Sequence, residues 1–153
     1  MSIWQELYEI FDRERARWQA KSSQKQALVY EIRRNLTFLA DALTSDVSEA
    51  DMANGLERAV FDAVLKSGLV LNSICDRTLS AKTIGSFDEF KVYVGKDTEY
   101  LITNAYLKID ALLKLVSNAK DKSYSLKFKS LFRFLMLVVA HLEGQQLVRR
   151  KKS

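Results

Sequence analysis

Residues 27–43 read ALVYEIRRNLTFLADAL. In this stretch Leu28, Ile32, Leu36, Leu39 and Leu43 recur at steps of four, four, three and four, the spacing that returns side chains to one face of an α-helix. Glu31, Arg33, Arg34 and Asn35 interrupt the stripe, with Glu31 and Asn35 one turn apart. Their expected role is an exposed i, i+4 network, worth a few tenths of a kcal/mol. The alternative is a buried polar contact that specifies which helices pair.

Upstream of this stretch no helix breaker occurs back to Ser2, and Trp4, Leu7, Phe11 and Trp18 form a second apolar stripe. Between the two stripes lies KSSQKQ, residues 21–26, with nothing apolar. One continuous helix of about 42 residues would be roughly 60 Å long and would overhang a bundle of shorter helices. The alternative is a bend near Ser22 that folds the aromatic stripe back onto the bundle. A large aromatic stripe left exposed marks an interface, so these four residues are the partner-binding candidates. A membrane-surface role is disfavoured by Glu6, Glu9, Asp12 and Glu14, where anionic lipid favours lysine or arginine.

Downstream, Ser48 with Asp51 approximates a capping box, Met52, Leu56, Ala59, Val60 and Ala63 form a stripe, and Gly68 suits a helix C-terminus. This predicts one helix over about 48–67. Residues 69–85 are ambiguous between a short helix and a packed connection. Ser86 with Glu89 predicts a capped short helix that Gly95 ends or kinks. Leu101, Ala105, Ile109, Leu112 and Val116 predict a strong helix over about 97–118. Phe128, Leu131, Leu135, Val138 and Leu142 predict a last helix, with Ser123 as its cap. Its apolar face is wide enough for the centre of a bundle. The expected fold is therefore all-α: an antiparallel bundle of about four main helices plus a short helix, with a long N-terminal helix. Residues 1–148 form one domain and 149–153 a basic disordered tail.

Composition agrees. The chain has 153 residues, no proline and five glycines, whereas average usage of about 5% would give roughly eight prolines. Such a length suits one domain with a real core, and so little turn punctuation implies long helices. The lone Cys75 allows no internal disulfide and favours an intracellular, cytoplasmic setting. The N-terminus has the pattern of no signal peptide. The most apolar run, LFRFLMLVVAHL at 131–142, includes Arg133 and falls short of the roughly 20 residues of a membrane span, so no membrane partner is expected.

The net charge of +5 is localised. From Lys120 onward nine basic residues stand against two acidic ones, and residues 1–119 carry a net −2. Lys122, Lys127, Lys129 and Arg133, with Arg149, Arg150, Lys151 and Lys152 in the tail, are the candidates for contacting nucleic-acid phosphates. Tyr124 and Phe132 lie nearby for base stacking. The competing explanation is a solvated helix face followed by a charged tail.

No constellation for chemistry is found. There is no G-x-S-x-G, G-x-x-x-x-G-K-[ST] or G-x-G-x-x-G, and one cysteine with one histidine cannot make a usual zinc site. His141 reads as a satisfied, partly buried histidine, Cys75 as a buried structural thiol, and Asp46, Glu49 and Asp51 as helix-start residues answering the helix dipole. No catalytic, cofactor-binding or metal residue is assigned, and no cofactor is expected. The leading expectation is a non-catalytic protein-interaction or assembly module that binds a protein partner or its own copy. A nucleic-acid-binding accessory protein is the alternative, and a small immunity or antitoxin-type inhibitor a minor one.

Overall fold

The stripe of residues 27–43 becomes one wall of the core in the computed structural model, which describes residues 24–118 and 122–148. Every regular element among them is helical: α1 (Gln24–Leu43), α2 (Glu49–Gly55), α3 (Ala59–Ser67), α4 (Ala81–Ile84), α5 (Thr98–Asn118) and α6 (Ser125–Glu143). Two 3₁₀ segments, Leu71–Ser73 and Asp88–Tyr93, join them. The all-α expectation is met. Trp4, Leu7, Phe11 and Trp18, the question of a bend near Ser22, and the tail residues Arg149, Arg150, Lys151 and Lys152 lie outside the described residues.

The centre is α6, which packs on α1, α5 and α4. Phe128, Leu131, Phe132 and every residue from Phe134 to His141 are buried. Each fully buried large apolar side chain contributes about 1.5–3 kcal/mol, so this apolar helix must be enclosed. The αL residue Gly144 (φ 68°) ends it, donating its N–H back to His141 O, as glycine does just past a helix.

The expected helix over 48–67 is two helices, and the polar residues of α1 are the reason. The Asn35 carboxamide donates to Glu57 O (2.8 Å) and accepts from Glu57 N (2.7 Å). The Glu31 carboxylate accepts the N–H groups of Val60 (2.7 Å) and Phe61 (3.1 Å), two of the orphan donors at the start of α3. The chain is thus caught between Gly55 and Ala59, and Ala59 and Ala63 are exposed while Phe61 and Val64 are buried. Glu31, Arg33 and Asn35 are buried, so the expected exposed network is replaced by its alternative. Arg33 pairs with Glu143 of α6 inside the fold, while Arg34 makes an exposed pair with Glu57. Buried charge without partners is too costly to keep, and each of these groups has found one.

Tyr106 of α5 completes the cluster. Its hydroxyl donates to Glu31 Oε1 (2.7 Å), and its ring stacks on Phe61 with centroids 4.0 Å apart. Burial, then the adjacent Glu31 carboxylate, pushes the Tyr106 phenol far above its ordinary range. Arg58, just before α3, pairs with Asp62 and reaches Asp110 of α5.

The other caps differ in part from expectation. Ser48 Oγ accepts Asp51 N–H (3.1 Å), as predicted. Ser123 is not the N-cap residue: among the described residues its Oγ accepts only the Ser125 N–H (3.4 Å), and α6 starts from Tyr124, whose N–H is taken by Glu49 of α2 (2.8 Å). Ser86 does not cap either, and Glu89 turns away to Arg133 of α6.

Candidate partner-binding cleft

The 3₁₀ segment Asp88–Tyr93 packs on α4 and reaches α6 through the Glu89–Arg133 pair and the Tyr93–Phe134 ring contact. Phe87 and Phe90 are buried anchors. Beyond it, Gly95 N–H donates to Leu79 O and Leu79 N–H to Lys96 O, both at 2.8 Å. That return needs φ of 92° at Gly95, a left-handed value that suits glycine.

Between this segment, α5 and α6 lies a shallow cleft of about 280 Å³. Phe134 and Tyr93 meet edge to face at its floor, centroids 5.1 Å apart. The Lys108 ammonium stands 5.1 Å from the Phe134 ring centroid, a cation–π distance. Lys129 and Arg133 line the α6 side, and Glu89 pairs with Arg133. Leu126 stands at the rim and is 81% exposed. Val92, on the 3₁₀ segment, is also exposed. Tyr93 is held above its usual phenol range by burial, then by the neighbouring Tyr100. Among the described residues three cations stand against one carboxylate in the lining, which makes it net positive.

The basic candidates therefore separate. Lys129 and Arg133 share the cleft. Lys127 is exposed on α6 outside the cleft lining, and Lys122 is exposed ahead of the helix. Lys108, Tyr93 and Leu126 were not singled out from sequence. Leu126 had a legible signal: it falls outside the stripe Phe128, Leu131, Leu135, Val138 that marks the buried face. Lys108 and Tyr93 had none, because only tertiary packing brings them beside α6.

His141 is buried, as expected, and its Nε2 has a partner. The Thr98 hydroxyl donates to Cys75 O (2.6 Å), so it accepts from His141 Nε2–H (2.8 Å). Burial, then the Arg77 charge, lowers the imidazole pKa against an opposing pull from Asp97. Cys75 is half-buried, more accessible than expected. Among the described residues no helix is long and apolar enough to cross a membrane. No protein-family model matches this chain, and comparison with curated proteins and with solved structures likewise gives no match.

Proposed function

We propose that this chain is a non-catalytic protein-interaction module whose cleft takes an acidic segment of a partner protein carrying an apolar side chain. The observation that carries this is an 81% exposed Leu126 beside Lys108, Lys129 and Arg133, over an aromatic floor. An exposed apolar residue beside a ring-floored cleft resembles the core of an interface, and a charged rim supplies specificity and on-rate. The buried ionic groups Glu31 and Arg33 are engaged in joining helices, which is consistent with a structural use of the polar interior.

Nucleic acid is the second reading, favoured by Lys129 and Arg133 lying beside an aromatic pair. Two features weigh against it. Glu89 places a carboxylate on Arg133, where a phosphate would have to sit. Phe134 is buried, and stacking needs an open ring face.

The test is fluorescence anisotropy of the full chain with two probes, a panel of labelled acidic peptides bearing one Leu or Phe and a single-stranded oligonucleotide. Leu126→Ser and Lys129→Glu each weaken peptide binding about tenfold, the roughly 1.4 kcal/mol of an interface anchor. Absence of peptide binding, or binding indifferent to both substitutions, overturns the proposal. Tighter oligonucleotide binding with a steep salt slope replaces it with the nucleic-acid reading.

A further inference from the structure

A second cleft, of about 190 Å³, opens where the chain leaves α6 and passes the segment around α4. Its lining is all donors or neutral groups: Arg77 and Lys82, the hydroxyls of Ser80 and Thr83, and the carboxamides of Gln145 and Gln146. Among the described residues no carboxylate lines it, and no ion pair engages Arg77 or Lys82. Two cations that no described carboxylate pairs, set in one concavity, raise the local concentration of anions.

The walls are tied down by backbone. Leu147 N–H donates to Thr83 O (2.8 Å), and Gln145 N–H to Ala140 O (2.9 Å). At Gly85 (φ 56°) a side chain would overlap the Leu147 carbonyl, so the two walls meet only with glycine there. Arg77 is seated by one hydrogen bond to His141 O (3.2 Å), and a Cβ at Gly144 would stand 3.3 Å from its Nη2. A guanidinium has five N–H donors, so most of its donor capacity remains for a ligand. The buried His141 also lines this cleft. Its Nε2 is taken by Thr98, and no hydrogen bond engages Nδ1 among the described residues.

We propose that this cleft binds a small tetrahedral oxyanion, of which inorganic phosphate is the simplest. Its volume is below the roughly 300–1,000 Å³ of sites for drug-sized ligands, which suits an ion and not a nucleotide. Donors come from two separate stretches of chain, Arg77 and Lys82 in one and the two glutamines in the other, and several donors converging on one small ion suit an oxyanion. Charge-assisted hydrogen bonds from arginine and lysine supply most of the affinity. This cleft is separate from the one proposed to bind a partner, and either assignment stands without the other.

Because His141 is the only histidine in the chain, its ring nitrogens are an unambiguous NMR reporter. The ¹⁵N-histidine-labelled full chain is titrated with inorganic phosphate at neutral pH and constant ionic strength, to about 20 mM, well past a millimolar Kd. A saturable shift of the His141 signals is expected, with the midpoint raised about tenfold by Lys82→Gln and by Arg77→Gln. Lys82 is exposed, so its substitution leaves the fold intact even where loss of the Arg77 hydrogen bond does not. Acetate, a planar anion, is expected to bind at least several-fold more weakly. No saturable shift, a midpoint unchanged by Lys82→Gln, or equal binding of acetate overturns the proposal.

Discussion

Replacing Glu31 by leucine tests whether one buried carboxylate fixes the start of α3 and ties α1 to both α3 and α5. The side chain is 1% exposed and accepts three hydrogen bonds, from Val60 N, Phe61 N and Tyr106 Oη. Leucine keeps nearly the same volume, so little cavity is added. It orphans three donors, each at a cost of about 1–3 kcal/mol when buried. Release of the carboxylate's own desolvation penalty offsets part of that. The net loss expected is about 3 kcal/mol, a large share of the roughly 5–15 kcal/mol that holds a domain together. For a chain of this size that lowers Tm by roughly 6–12 °C. Tyr106→Phe removes only one of the three bonds and costs about 1.5 kcal/mol. The assay is urea denaturation of both single variants and the double variant, with amide hydrogen exchange at Val60 and Phe61. Coupling between the two substitutions, with faster exchange at those two amides, is the expected result. A Glu31→Leu protein within about 0.5 kcal/mol of the parent, or one destabilised with exchange at Val60 and Phe61 unchanged, refutes the assigned role.

Other perturbations probe the same frame. Gly55→Ala places a methyl group in the Phe38 ring, and overpacking of this kind costs about 1–3 kcal/mol; on a Phe38→Leu background the same change is expected to be nearly neutral by denaturant titration. Arg33→Ala leaves Glu143 buried without its guanidinium and costs about 3–5 kcal/mol, whereas Arg33→Met with Glu143→Leu is expected to come within about 1 kcal/mol of the parent. The His141 pKa is lowered in the folded state, so the unfolded chain takes up its proton first as the pH falls. Stability is therefore full above the unfolded value of about 6.5 and declines as the pH drops below it toward the folded value. His141→Gln removes that slope, which denaturation measured between about pH 7.5 and 5.5 detects.

The sequence alone determined the helical class and the buried faces of the long helices. Leu28, Ile32, Leu36 and Leu39 are all buried, as are Leu101, Ala105, Ile109, Leu112 and Val116. Helical periodicity is a local property, and a face that is apolar along one helix must be covered by something. The stop at Gly68 was equally legible, because a left-handed residue after a helix favours glycine, and Gly68 has φ of 78°. What only the tertiary structure decided is where side-chain polar groups go. Glu31 and Asn35 carry the same i, i+4 spacing whether they face solvent or a neighbouring chain. The difference lies in Glu57, Val60 and Phe61, more than twenty residues away in sequence. The same holds for Glu89, which fits a cap by spacing and goes instead to Arg133, and for both clefts, whose walls come from segments separated along the chain. Period and propensity are written in neighbouring residues, but the partner of a charge depends on which helices pack together. That choice is made by the whole core at once.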